Sequence, residues 1–438
     1  MDSRQKWAKR VGEIFNTMPR DGNNAVWLPR KEMEDKFSDL IENRGVHICL
    51  DGPTGTGKSS LAFTVLNKLK IKYKLIQIAK STDWLEFCKM LVSPNSNEES
   101  AVSAKIEVGL DKLMPQGKIE FSYGAKGRPA DDLALTEAII SKWSEHDVCK
   151  MMAKENLLLF IDDFERANDN LVSHISDMCK LLTQSYKSTY AKIIVVGTGT
   201  ICKRLFEANP SLESRLEQIS LGTLPTPNHS WKFLLMGFEA LGLAHPANDK
   251  LSKLDELYEC IQYAYEAANG LPKSLNELGR KISLEGFGRK RVSPSDIKNV
   301  ASQIPLENLK RYKSEFPKIY KCVENNPAVR SVLQHLYEEG IGHIHNWTDV
   351  ETFLLEAFPV EQIEQAICEL VEVNFLVKTG LSGDVLFVSN PSLAHTLGVI
   401  VSYPDKYEIP AIHRRGQLVL PFLKKDIEQS LIPANKAN

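Results

Sequence analysis

One run of eight residues constrains this chain more than any other: Gly52-Pro53-Thr54-Gly55-Thr56-Gly57-Lys58-Ser59. Before it stands the apolar run Val46-His47-Ile48-Cys49-Leu50, which reads as a buried strand, and after it Ser59 to Leu69 reads as a helix. Strand, glycine loop and helix in that order form the context in which backbone N–H groups turn inward and cradle phosphate oxygens without a side chain in the way. Lys58 adds a point charge suited to β and γ phosphates, and Ser59 a hydroxyl suited to Mg²⁺. Gly52 through Ser60 are therefore the candidate nucleotide-binding set, with ATP and Mg²⁺ as the cofactors. By average residue frequencies such a pattern arises by chance in only about one or two chains in a hundred of this length.

Further apolar runs follow at intervals. Tyr73-Lys74-Leu75-Ile76-Gln77-Ile78-Ala79 and Leu157-Leu158-Leu159-Phe160-Ile161 read as strands, the latter ending in Asp162-Asp163; Lys192-Ile193-Ile194-Val195-Val196 ends in Gly197-Thr198-Gly199-Thr200. Short apolar runs separated by helical patterns predict an α/β fold whose parallel sheet carries helices on both faces. Chemistry is then expected at the carboxyl ends of the strands. Asp162 closes its strand and is the candidate to hold Mg²⁺ through water. Asp163 follows as the candidate to orient an attacking water, but aspartate is one methylene shorter than glutamate, so either hydrolysis is slow or Glu165 supplies the reach.

At 438 residues the chain exceeds the size of one core. Boundaries are expected as 1–229 for the nucleotide-binding α/β domain, 230–304 for a helical lid, 305–322 for a linker, 323–400 for a winged helix and 401–438 for a tail. The winged helix is read from helical patterns at Val329–Glu338, Trp347–Phe358 and Val360–Val373, followed by strands Phe375–Lys378 and Val385–Val388. Within the first domain, an insertion at about 100–125 alternates through Ile106, Val108, Leu110, Ile119, Phe121 and Tyr123 around Pro115-Gln116-Gly117. It reads as a hairpin, either packed on the core or projecting toward DNA or a neighbouring subunit.

The net charge of −2 exerts no global pull toward nucleic acid. No apolar run approaches the ~18 residues that span a bilayer, and the polar start lacks a secretory signal, so a cytoplasmic protein with no membrane contact is expected. Eight cysteines without a Cys-x-x-Cys pair read as small buried hydrophobes.

These features, in this order, resemble the AAA+ ATPases, within the branch of origin-recognition initiators and transposon-encoded regulators. The resemblance also uses Pro29-Arg30-Lys31-Glu32-Met33-Glu34, Ser214-Arg215 and Asn269-Gly270-Leu271-Pro272-Lys273. It implies that Thr198 senses the γ phosphate, that Arg215 is an arginine finger completing a neighbouring subunit's site, and that Lys273 stands at the second sensor, where arginine is usual. It implies a homo-oligomer assembled with ATP that acts on DNA or DNA-bound proteins, in bacterial defence, mobile-element or replication control.

The helix that would read DNA in the winged helix carries Glu361, Glu364, Glu369 and Glu372, which phosphates repel, so that module reads as protein-binding or as packing. Basic residues lie instead in the lid (Arg280, Lys281, Arg289, Lys290, Arg291) and in the linker (Lys310, Arg311, Lys313, Lys318, Lys321), either as a DNA contact or as a solvated face. A signalling NTPase scaffold held by its winged helix, with no direct DNA binding, is the alternative. In the tail, Gln417-Leu418-Val419-Leu420-Pro421-Phe422 resembles the peptide with which some bacterial replication regulators dock on the polymerase sliding clamp; Gln417, Leu418, Leu420 and Phe422 would be its anchors, unless the segment packs back on the body.

Overall fold

The structure is a computed structural model; it describes residues 2–16, 26–93, 140–186, 188–246, 254–311, 315–339, 344–379 and 385–394. The hairpin insertion and the tail peptide lie outside the described residues. The described residues divide into two compact units, one within residues 31–51 and 65–219, the other within 2–30, 52–64 and 220–394.

The first unit is built on five strands: β1 (His47–Asp51), β2 (Tyr73–Gln77), β3 (Leu158–Asp162), β4 (Lys192–Val196) and β5 (Leu216–Ser220). They stand in the order β2-β3-β4-β1-β5. The pairs β2–β3, β3–β4 and β4–β1 run parallel, with Leu50 opposite Val196 and Ile161 opposite Val195. Strands β1 and β4 are buried along their whole length, as a sheet covered on both faces requires of its central members. Helices α4 (Trp84–Val92), α5 (Glu145–Glu155), α6 (Asp169–Ser185) and α7 (Ile201–Ala208) supply Phe87, Met152, Ile175 and Leu205 to the core against Leu159, Ile161 and Ile193. Two polar side chains are buried where the central strands begin. His47 accepts from the Ile193 N–H through Nδ1 (3.0 Å) and donates to the Cys179 carbonyl from Nε2 (2.9 Å), which fixes its tautomer. Lys192 donates to the carbonyls of Leu40, Ile41 and Asn43, capping the end of α2 (Lys31–Glu42).

Strand β5 is absent from the sequence reading. Its residues do not form a continuous apolar run: Leu216 and Ile219 face the core, Glu217 is exposed, and Gln218 donates to Asp51 Oδ2 at 2.7 Å. An edge strand satisfies fewer neighbours, so its pattern is weaker.

In the second unit, helices α8 (Pro227–Leu241), α9 (Leu254–Ala268), α10 (Pro272–Glu285) and α11 (Pro294–Arg311) share one core. The N-terminal helix α1 (Ser3–Ile14) belongs to it as well, through Val11 and Phe15. Trp7 Nε1 donates to the Ser283 carbonyl at 3.1 Å, and Arg10 to that of Ala240 at 3.0 Å. The Phe15 ring lies where glycines leave room on both α8 and α10: a Cβ at Gly237 or Gly279 would fall 2.1 or 2.2 Å from it. Residues 305–322, read as a linker, are largely helical, in α11 and in α12 (Phe316–Asn325).

A separate core gathers α12, α13 (Pro327–Glu339), α14 (Trp347–Leu354) and α15 (Val360–Glu372) with β7 (Leu376–Thr379) and β8 (Val385–Val388). The short strand β6 (His345–Asn346), not expected from its two residues, pairs with β8 to give the antiparallel order β6-β8-β7. Among the described residues no helix is long and apolar enough to cross a membrane. Six of the eight cysteines are buried, and all are free thiols.

Candidate functional site

Strand β1 ends at Asp51 and the chain continues into the Gly52 loop, from which α3 (Lys58–Lys68) starts. Gly52, Gly55 and Gly57 take φ of 137°, 88° and 92°, a region that side chains with a Cβ avoid. Gly57 is the informative one, because a Cβ there would meet nothing within 4 Å and would project into open space at the start of the helix. The loop therefore has the shape of a cradle with its floor kept clear at the N-terminal end of α3, where the helix dipole favours negative charge. Such a cradle fits an anionic phosphate chain.

The loop is stiffened from within and from both flanks. Lys58 Nζ donates to the carbonyls of Gly52 and Pro53 at 2.9 Å each, and Thr56 Oγ1 to that of Pro53 at 3.0 Å. Arg30 donates to the carbonyls of Thr56 (2.9 Å) and Gly222 (2.6 Å), and its burial pulls the guanidinium down to about 10, so it stays charged at neutral pH. The N–H of Lys273, in the first turn of α10, donates to the Gly55 carbonyl at 3.2 Å. A Cβ on Gly55 would lie 2.9 Å from Lys273 Cβ, so this glycine is demanded by close approach as well as by φ. Lys273, singled out from the sequence as a second sensor, thus sits directly on the loop, with its side chain exposed.

At the carboxyl ends of β3 and β4 the acidic residues separate into two directions. Asp162 ends β3 and its Oδ1 accepts from the Asp163 N–H at 3.0 Å. Asp163 takes the left-handed conformation (φ 57°, ψ 34°), and its Oδ2 accepts from Gln77 Nε2 at 3.0 Å, with Arg166 at 4.0 Å. Asp163 is thereby held toward β2. Glu165 goes the other way: its Oε2 accepts from the Thr198 N–H at 3.1 Å, just past β4. A Cβ on Gly197 would come within 2.6 Å of that oxygen. The Gly197 N–H in turn donates to the Leu50 carbonyl of β1 at 3.2 Å.

The structure brings Glu165 and Thr198 together and leaves Asp163 with Gln77. Arg204 on α7 completes this end, donating to the Ala167 carbonyl (2.7 Å) and to Asp169 (2.8 Å), which fixes the turn that carries Glu165. Neither Gln77 nor Arg204 was distinguishable in the sequence, because a lone glutamine at a strand end and a lone helical arginine have no spacing signature. Arg30 stood inside the quoted Pro29–Glu34 run without a role. Arg215 precedes β5, half-buried, and donates from Nη1 to the Ser211 carbonyl (2.9 Å) and hydroxyl (3.1 Å) of its own loop.

Residues 42–206 match the AAA domain family. No curated protein matches the chain in a sequence comparison. Among solved structures it is similar to a Walker-type ATPase of Pyrococcus abyssi (17% identity, 87% of this chain and 99% of that one, TM-score 0.49). It is also similar to the ORC2 protein of Aeropyrum pernix (12%, 89% and 97%, TM-score 0.44) and to the RuvB Holliday junction branch migration motor of Thermotoga maritima (12%, 82% and 92%, TM-score 0.37). At these TM-scores the likenesses carry no weight on function. The domain match spans the glycine loop, β1 to β4 and the turn carrying Glu165, so it is residues 42–206, the part that carries the candidate site, that resemble an AAA ATPase domain.

Proposed function

We propose that this ATPase is an ATP-gated assembly switch with slow intrinsic hydrolysis. The observation that carries the reading is the engagement of Asp163 by Gln77 and Arg166, turned away from Thr198, which Glu165 contacts instead. A general base must reach the water it activates. Asp163 has first to give up two partners, so hydrolysis waits on a rearrangement.

In this reading Gly52 to Ser60 bind the phosphates of ATP, Lys58 leaves the Gly52 and Pro53 carbonyls to hold the β and γ phosphates, and Lys273 follows from the lid (230–304). Ser59 and Asp162 are the residues that would hold Mg²⁺. Among the described residues no cluster of three His, Cys, Asp or Glu side chains offers a metal site of its own, which suits an ion that arrives with the phosphates and keeps its waters. Thr198 reports the γ phosphate to Glu165, and Arg215 reaches a neighbouring subunit's nucleotide, where its fixed fork suits a phosphate across an interface.

The downstream target is DNA or a DNA-bound protein, reached by a cytoplasmic homo-oligomer in defence, mobile-element or replication control. The ion pairs of the lid favour a protein target over direct DNA contact. Lys281 pairs with Glu277 and with Glu307 of the linker, Arg289 with Asp296, and Arg311 of the linker with Glu277, so carboxylates offset part of the basic charge that phosphates would meet, each pair contributing about 0–1 kcal/mol at these exposed positions. The winged-helix module (323–400) would then serve as the protein-binding or regulatory surface.

Size-exclusion chromatography with light scattering, with and without ATP, tests the switch. Asp163→Asn should gain mass with ATP, and Arg215→Ala should bind ATP without hydrolysing it. No ATP-dependent mass change in wild type or Asp163→Asn, or turnover above ~10 s⁻¹ per site, the median for enzymes, would overturn the reading.

A further inference from the structure

The C-terminal core exposes an apolar corner where α14 passes into α15. Phe353, Leu355 and Val360 are 52%, 47% and 37% exposed, in a stretch of eight residues. Their backbone is fixed: Leu355 and Phe358 N–H donate to the carbonyls of Glu351 and Leu354, and Ile363 N–H to that of Pro359. The Phe353 ring is held against His335, with centroids 4.2 Å apart. Large apolar side chains presented together on a fixed backbone mark a docking surface.

Charge narrows the occupant. Exposed Glu356, Glu361 and Glu364 stand around the corner, and from residue 331 to residue 377 the sequence holds nine acidic residues and no Lys or Arg. The occupant must therefore be apolar in the middle and basic at its ends. One segment of this chain has that composition: Gln417-Leu418-Val419-Leu420-Pro421-Phe422-Leu423, preceded by Arg414-Arg415 and followed by Lys424-Lys425. It lies outside the described residues, but the chain can deliver it. Ala394 belongs to the same core as Leu354 and Ile363. The twenty residues from there to Arg414 span up to ~66 Å when extended.

We propose that the acidic-rimmed corner around Phe353, Leu355 and Val360 is the docking surface for the chain's own segment 414–425. Leu418, Leu420 and Phe422 supply the apolar contact, and the two basic pairs face Glu356, Glu361 and Glu364. The docked segment is withheld from any other partner that would bind the same leucines and phenylalanine. The corner lies outside the nucleotide site, and the proposal stands independently of the switch reading.

Chymotrypsin cleavage after Phe422 in the full-length protein tests it, because cleavage of a segment that opens transiently tracks its open population. A segment docked nine-tenths of the time is cut about tenfold more slowly than a free one. Glu356→Lys/Glu361→Lys/Glu364→Lys, all at exposed positions, should raise the rate about tenfold while far-UV circular dichroism and ATP turnover stay unchanged. Adding Arg414→Glu/Arg415→Glu/Lys424→Glu/Lys425→Glu to that variant should restore protection. Phe353→Ser/Leu355→Ser should lose protection without changing charge. Equal cleavage in wild type and both corner variants overturns the proposal. Protection that rises with protein concentration assigns the corner to a second copy's segment and overturns it as an intramolecular contact.

Discussion

The Glu165 carboxylate accepts a hydrogen bond from the Thr198 N–H at 3.1 Å, which links the turn after β3 to the end of β4. A charge-assisted bond of this kind orients a loop that a neutral partner would hold less firmly. Glu165→Ala should therefore lower ATP turnover about 10- to 100-fold while ATP affinity changes little, since one hydrogen bond to a charged group contributes about 1.5–3 kcal/mol. Steady-state hydrolysis and nucleotide titration read the two effects separately. Gln77→Ala should act oppositely, raising turnover severalfold by releasing Asp163; an unchanged rate would remove Gln77 as the restraint.

Lys58 spends its ammonium on the Gly52 and Pro53 carbonyls, and is nearly buried. Lys58→Ala should weaken ATP binding by about 10- to 100-fold, the equivalent of a lost hydrogen bond to a charged group. Isothermal titration with ATP measures it, and the melting temperature without nucleotide serves as the folding control.

Phe15 lies against Gly237 and Gly279, and that fit ties α1 to α8 and α10. Gly279→Ala places a methyl 2.2 Å from the ring and should cost about 1–3 kcal/mol, the usual penalty for overpacking. Phe15→Ala empties the slot and should cost about 3–5 kcal/mol. The two should be strongly non-additive in urea unfolding, because the double variant relieves the clash.

His47 is buried and neutral in the fold, where loss of hydration lowers it to about 4. Unfolded, it titrates near 6.5. Between those values the unfolded chain binds a proton that the native protein refuses, so His47's contribution is complete above pH 6.5 and is lost as pH falls toward 4. The loss amounts to about 3 kcal/mol. Denaturation midpoints at pH 7.5 and 5 should converge in His47→Gln, which keeps a donor and an acceptor without titrating in this range.

Short-range patterns were enough for much of the molecule. The glycine run, the buried strands β1, β3 and β4, the alternating edge strand β2 and the helices beside them follow from local composition and period, because a parallel sheet covered on both faces demands continuous apolar runs of its central strands. The nucleotide set Gly52 to Ser60 is contiguous, so its chemistry was readable before any fold was known. Tertiary structure decided the rest. Whether Asp163 or Glu165 meets Thr198 depends on which way two neighbouring carboxylates turn, and that was set by a left-handed residue and by Gln77, 86 positions away. Arg30 reaches Gly222 across 192 residues, and Trp7 reaches Ser283 across 276. Strand β5 was hidden because its two buried residues, Leu216 and Ile219, are separated by the polar pair Glu217-Gln218 and form neither an apolar run nor an alternation. A local pattern encodes the solvent preference of each residue, but the partner that a polar group finds is fixed only when distant segments close on one another.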